Sequence, residues 1–216
     1  QDIKTIKTSS GEYKALSVVL ATGASPRKLN FPGEEEYTGR GVAYCATCDG
    51  EFFTGMEVFV VGAGFAAAEE AIFLTKYATK VTIIAREPEF TCAKSIAEKV
   101  LNHPKIEVRF NTELLEAKGD IQLRSAVFKN NVTGEISEYK AKDGKSFGIF
   151  IFVGYEPQSK LFKNHIELDQ YGFIPTDEDL QTNVKGVYAA GDIRPKKLRQ
   201  LVTAVSDGAV AAVNIE

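Results

Sequence analysis

Cysteine is scarce in this sequence: Cys45, Cys48 and Cys92 are the only three in 216 residues. That is too few for a small scaffold stapled by disulfides. Histidine is scarcer, with only His103 and His165. A structural zinc site needs four ligands, and these residues show no paired ligand spacing beyond Cys45 and Cys48, so no metal site is expected. Long apolar runs are missing too. The longest, around Val58 to Ala68, falls well short of the ~20 residues that cross a bilayer, and Gln1-Asp2-Ile3-Lys4 does not open a signal peptide. No charge of one sign dominates: 26 Lys and Arg face 29 Asp and Glu, for a net charge of −3. The only local run is Glu34-Glu35-Glu36, read as a solvated loop. Without a basic stripe, neither nucleic acid nor a membrane is an expected partner. An initiating methionine is also absent. The chain opens on Gln1 and its single methionine is Met56, which reads as a piece of a longer product.

What is present describes a soluble globular protein of one large or two modest domains, with 44% hydrophobic and 25% charged residues. Ile3 to Lys7 and Tyr13 to Leu20 read as strands around the turn residues Thr8 to Gly11, and the run Leu16 to Leu20 as a strand buried on both faces. A Pro- and Gly-rich loop follows, from Ser25 to Gly41. From Glu57 onward strand and helix alternate. Strands are expected at Val58 to Val61, Val81 to Ala85 and Ile106 to Phe110, with helices at Ala66 to Tyr77 and Ala93 to Asn102. This β-α-β-α-β order implies an α/β nucleotide-binding half-fold on a parallel sheet. Strands at Leu114 to Ala117 and Leu123 to Phe128 come next, and Phe147 to Val153 returns to the buried sheet. A strand at Val187 to Ala189 and a helix from about Leu201 to Val213 close the chain.

Three features carry chemistry. The first is Cys45-Ala46-Thr47-Cys48-Asp49. A C-x-x-C pair closes a small disulfide ring through which thiolate exchange moves electrons two at a time, and Asp49 is placed to protonate a departing thiolate. The second is Gly62-Ala63-Gly64-Phe65-Ala66-Ala67, a G-x-G-x-x-A pattern between a strand and a helix. There Gly62 allows the turn, Gly64 admits a pyrophosphate and Ala67 keeps the helix close to the strand. The third joins Ala21-Thr22-Gly23 to Ala189-Ala190-Gly191-Asp192. Each follows a buried strand, and together they suggest a second nucleotide site with Asp192 facing a hydroxyl such as a flavin ribityl chain. Smaller signals read as structure: Cys92 as a small buried hydrophobe, His103 as a helix-end cation and His165 as solvated.

Cys45-Ala-Thr-Cys48-Asp49-Gly50, Val60-Val61-Gly62-Ala-Gly64 and Ala68-Glu69-Glu70-Ala71 closely resemble the low-molecular-weight thioredoxin reductases. So do Gly186-Val-Tyr-Ala-Ala-Gly191-Asp192, Arg199-Gln200 and Thr203-Ala204 near the end. The resemblance implies a Rossmann-like, three-layer nucleotide domain bearing the C-x-x-C, inserted into a partial FAD domain. It divides the chain into 1–37 and 157–216 for the FAD domain and 38–156 for the insert, with the N-terminal FAD-binding segment missing. FAD is the implied cofactor, contacted by Thr22, Gly23, Asp192, Arg199 and Gln200. The pyridine nucleotide falls to Gly62, Gly64, Ala66, Ala67, Glu69, Arg86 and Gly154. Electrons would reach a Cys45–Cys48 disulfide, with Cys48 toward the flavin and Cys45 attacking thioredoxin or a thioredoxin-like protein. Asp49 would serve as acid or base, in a reducing cytoplasm. The family's full-length proteins imply a homodimer, and this piece a monomer, inactive without its FAD segment.

One stretch departs from the family. Where a basic cluster for the 2′-phosphate of NADPH is usual, the sequence reads Ala85-Arg86-Glu87-Pro88-Glu89, and Phe65 replaces a small polar residue. The donor is thus left open between NADPH, NADH and ferredoxin, the last as in the ferredoxin-dependent flavin thioredoxin reductases. Two other readings are a nucleotide- or partner-binding module that does not catalyse, and a flavin subunit of the alkyl-hydroperoxide-reductase type.

Overall fold

The computed structural model describes residues 2–216. It begins with an antiparallel hairpin of β1 (Lys4–Thr8) and β2 (Gly11–Ala15), followed by β3 (Val18–Leu20) and β4 (Ala24–Pro26). The single strand expected over Tyr13 to Leu20 is therefore two strands in two sheets. The hairpin register ends at Ala15, and the chain turns through Leu16 and Ser17 before β3 begins. Leu16 and Val19 are exposed, so this run is not buried on both faces.

The chain divides into two compact units, one running to Ser25 and resuming at Tyr155, the other spanning Pro26–Gly154. The sequence placed these boundaries at 37/38 and 156/157. Residues 26–37 instead pack with the second unit, because Phe31 and Tyr37 bury in its core. Gly33, at φ +95°, lies so close to Ala117 that a Cβ would stand 2.1 Å from the Ala117 carbonyl oxygen. The Ala117 amide also donates to the Pro32 carbonyl at 3.0 Å. Fitting a backbone edge this tightly is a tertiary matter, not legible in a Pro- and Gly-rich stretch.

Within the second unit, β5 (Val42–Ala43) leads to the short helix α1 (Ala46–Asp49). Then follow β6 (Glu57–Val61), α2 (Phe65–Leu74), β7 (Lys80–Ile84), α3 (Lys94–Leu101) and β8 (Ile106–Arg109). Three antiparallel strands, β9 (Thr112–Gly119), β10 (Leu123–Asn130) and β11 (Ile136–Lys140), precede β12 (Gly148–Ile151). The parallel sheet has five strands in the order β5-β12-β6-β7-β8. Both faces are covered, as a parallel sheet requires. Strand alternation distributes the core: Phe59 and Val61 point to the antiparallel sheet, whereas Val58 and Val60 point to the helices. Ala67, Ala68 and Ala71 let α2 approach the strands closely. The result is three layers, antiparallel sheet, parallel sheet and helices, as expected of a Rossmann-like α/β fold. Strand β11 escaped sequence reading because all its residues but Tyr139 are exposed, which leaves no apolar alternation.

The first unit resumes with β13 (Tyr155–Pro157), which pairs with β4, and β14 (Val187–Ala189), which pairs in parallel with β3. Helix α4 (Leu201–Ile215) ends the chain, opened by a reciprocal capping box between Gln200 and Thr203. Among the described residues no helix is long and apolar enough to cross a membrane.

Candidate active site

Cys45 and Cys48 form a disulfide at the start of α1. Ala46 buries in the helix-side core and so anchors the turn, while Thr47 and Cys48 face solvent. Cys45 Sγ accepts the Cys48 amide at 3.1 Å, and the Asp49 amide donates to the Cys45 carbonyl at 3.0 Å. Asp49 is partly buried, and burial pushes its carboxyl above the usual range, toward the protonated acid. Glu34 reinforces the segment from outside the motif. It is not solvated but 2% exposed, accepting the Leu29 amide at 3.1 Å, the Asn30 amide, and the Tyr44 hydroxyl at 2.7 Å. Glu35 and Glu36 are exposed as expected. Nothing in the sequence separates Glu34 from its two neighbours, since only folding brings Tyr44 over it.

A cavity of about 690 Å³ opens in the same unit at the carboxyl ends of β6, β7 and β12. Ligands bind at this place in open α/β sheets, where the strand order reverses direction. Gly62, Gly64, Ala66, Arg86 and Gly154 line it together. Gly62 sits at φ +139°, and a Cβ there would fall 2.5 Å from the Phe152 carbonyl oxygen and 3.1 Å from the Ala67 Cβ. Gly64 is different. Its φ of −84° is ordinary and the nearest atom to an added Cβ is Thr91 Oγ1 at 3.9 Å, so its bareness leaves room in the cavity. The N-terminus of α2, with no side-chain cap, points its amides there, as anion binding by backbone groups requires. Ala67 is fully buried beneath the turn and Glu69 is exposed outside the lining. Sequence reading missed Arg27, Thr91 and Glu113 in the lining. Only Thr91, six residues past the expected second strand, could have been suspected.

In the other unit, parallel pairing of Leu20 with Ala189 brings the ends of β3 and β14 side by side. Thr22-Gly23 and Gly191-Asp192 thus leave the sheet together. Thr22 Oγ1 donates to the Gln158 carbonyl at 2.8 Å, and Gly23, at φ +74°, accepts the Gln158 amide at 2.9 Å. Asp192 Oδ1 and Arg199 Nε are buried without a hydrogen-bond partner among the described residues. The Arg199 guanidinium lies 4.9 Å from the Tyr155 ring centre and 4.8 Å from that of Phe173. Gln200 caps α4. A buried acceptor and a buried donor left unsatisfied cost free energy unless a ligand meets them, and a polyhydroxylated, hydrogen-bonding cofactor such as FAD fits both.

Asp207, unflagged in the sequence, holds this turn: Oδ2 accepts the Gly191 amide at 2.9 Å, Arg194 at 2.9 Å and Lys196 at 2.7 Å. Cys92 is half-buried beside Phe90 against the helix-side core, as a small hydrophobe. His103 follows the end of α3, where its Nδ1 accepts the Lys105 amide at 3.2 Å, and Lys105 Nζ donates to the Thr75 and Ala78 carbonyls at 2.8 and 3.2 Å, past the end of α2. His165 is exposed. Among the described residues no group of three or more His, Cys, Asp or Glu could hold a metal ion.

Comparison with known proteins adds to this geometry. The family model described as pyridine nucleotide-disulphide oxidoreductase matches residues 1–208. A thioredoxin reductase from Peptoclostridium litorale is 56% identical over 99% of the chain and 68% of its own length. One from Peptoclostridium acidaminophilum is 57% identical over the same shares. The crystal structure of thioredoxin reductase from Streptococcus pyogenes superposes with a TM-score of 0.89 at 38% identity, covering 100% of this chain and 69% of that one.

Proposed function

Because this chain belongs to the pyridine nucleotide-disulphide oxidoreductases, and among them to the thioredoxin reductases, we propose that it carries the dithiol–disulfide step by which a thioredoxin is reduced. The observation that carries the reading is the Cys45–Cys48 disulfide, whose solvent-facing turn also presents the Cys48 amide to Cys45 Sγ. The reduced pair acts in two exchanges. Cys45 thiolate attacks one sulfur of the thioredoxin disulfide, forming a mixed disulfide and expelling a thiolate, which takes a proton from Asp49. The Asp49 carboxylate takes the Cys48 thiol proton, and Cys48 then attacks Cys45 Sγ, re-forming the Cys45–Cys48 disulfide and expelling the second thioredoxin thiolate, which takes that proton from Asp49. Two electrons leave the pair and two thioredoxin thiols result.

The cavity at Gly62 and Gly64 takes the pyridine nucleotide, whose pyrophosphate meets the α2 amides. Thr22, Gly23, Asp192, Arg199 and Gln200 hold FAD, and the orphaned Asp192 Oδ1 and Arg199 Nε support that placement. Bound FAD supplies the chemistry that converts hydride transfer into reduction of the disulfide. Such exchange belongs in a reducing cytoplasm.

The test uses the full-length protein with thioredoxin. C48S, reduced and mixed with oxidised thioredoxin, is expected to accumulate a covalent mixed disulfide through Cys45, whereas C45S forms none. Trapping by C45S but not by C48S would reverse the assigned roles, equal trapping would leave neither thiol the sole attacker, and trapping by neither would remove the exchange.

A further inference from the structure

The parallel sheet assigns the two ends of the cavity. Strand β6 stands at its centre, with β7 on one side and β12 on the other. A dinucleotide whose pyrophosphate meets the Gly62–Gly64 turn therefore lays one nucleoside toward β12 and the other toward β7. In a β-α-β dinucleotide site the end of the second strand, here β7, meets the 2′ position of the adenosine ribose. An acid there accepts a 2′-hydroxyl, and a free cation accommodates a 2′-phosphate.

The cation at this end is not free. Arg86 Nε donates to Glu87 Oε1 at 2.9 Å, and its guanidinium is held above its usual pKa by Glu87 and, more weakly, by Glu113. Glu87 and Glu113 both line the cavity, so two carboxylates accompany one guanidinium. Glu87 is also the more enclosed member of the pair, its side chain 31% exposed against 74% for Arg86. Its backbone is pinned, because the Glu87 carbonyl accepts the Asn111 amide at 3.0 Å and the Ala85 carbonyl the Thr112 amide at 2.8 Å. The fold thus holds a carboxylate at the rim where the 2′ group arrives. The other cations of the lining are Arg27 and Lys28, neighbours in sequence, and Arg27 sits at Gly154, on the β12 side.

We propose that Glu87 is a specificity-determining residue that selects a pyridine dinucleotide with a free 2′-hydroxyl, NADH, over its 2′-phosphorylated counterpart. Glu87 accepts a hydrogen bond from the hydroxyl. A 2′-phosphate brings a charge of about −1.5 to −2 against the same carboxylate and finds Arg86 already engaged. The proposal deepens the function above and rests on the cavity being the dinucleotide site.

The test is direct binding of NAD⁺ and NADP⁺ to the oxidised, FAD-loaded full-length protein by titration calorimetry, with flavin absorbance and circular dichroism verifying the fold of each variant. The unmodified protein is expected to bind NAD⁺ at least about tenfold more tightly than NADP⁺. E87Q, which removes the charge and can donate to a phosphate, is expected to shrink that ratio by about tenfold or more. R86A, which leaves Glu87 in place, is expected to keep the NAD⁺ preference. Tighter NADP⁺ binding by the unmodified protein overturns the proposal, and so does a ratio unchanged by E87Q. Failure of both dinucleotides to bind would instead remove the cavity from the proposed function, and this inference with it.

Discussion

The Tyr44 hydroxyl donates to Glu34 Oε1 at 2.7 Å, tying the residue before Cys45 to a carboxylate that also takes the amides of Leu29 and Asn30. One buried charge thereby joins the loop after β4 to the strand entering the redox turn. Burial, and then the Glu34 hydrogen bond and charge, push the Tyr44 phenol up to about 12.

Replacing Glu34 by alanine leaves three donors without their acceptor. E34A should lose about 2–3 kcal/mol of stability, and Y44F, which removes one bond, about 1 kcal/mol. Urea unfolding followed by circular dichroism reads both. Since the folded-state pKa of Tyr44 is raised above 10, the folded protein holds the phenolic proton more tightly than the unfolded chain. The Tyr44 contribution is present below pH 10 and lost as pH rises toward 12, and Y44F should flatten that decline.

Asp49 carries a raised pKa caused by burial. A carboxyl whose folded pKa is raised favours folding while protonated and opposes it once ionised, so stability falls as pH rises through the folded pKa. D49N should therefore be more stable than the unmodified protein at neutral pH, and slower in thioredoxin reduction by about 10²-fold through loss of the acid. Thermal unfolding and stopped-flow exchange measured on the same samples would test the trade. A loss of stability with unchanged exchange would contradict it.

Gly62 and Gly64 should part company. Alanine at Gly62 meets a positive φ and a carbonyl oxygen at 2.5 Å. G62A should cost about 1–3 kcal/mol from the backbone conformation alone, with the close contact adding to it. Alanine at Gly64 meets ordinary φ and open space. G64A should keep its stability and weaken dinucleotide binding by about tenfold or more, seen in calorimetric titration of the full-length protein.

Asp207 joins two largely buried cations, Arg194 and Lys196, to the Gly191 amide. Burial alone would raise its pKa, but the Lys196 and Arg194 hydrogen bonds outweigh it and hold the carboxyl below its usual value. A depressed folded pKa gives stability that is present above the unfolded value, about 3.9, and lost as pH falls through the folded one. D207A should cost about 3–5 kcal/mol by leaving the cations uncompensated, and should release FAD more readily than the unmodified protein. Retention of FAD at full stability would show that the turn does not depend on Asp207.

The sequence by itself determined the repeating elements and the residue types of the site. The apolar run Val58 to Val61, the small residues of α2 and the C-x-x-C spacing are local properties, written in neighbouring residues because strand and helix periodicities act over a few positions. The break of Tyr13 to Leu20 into two strands, the packing of residues 26–37 against β9 and the burial of Glu34 under Tyr44 came only with the tertiary structure. So did the difference between a glycine needed by the backbone and one that leaves room for a ligand. Each depends on groups distant in sequence meeting at van der Waals or hydrogen-bond range, and no local pattern of apolar and polar residues encodes which distant atom arrives.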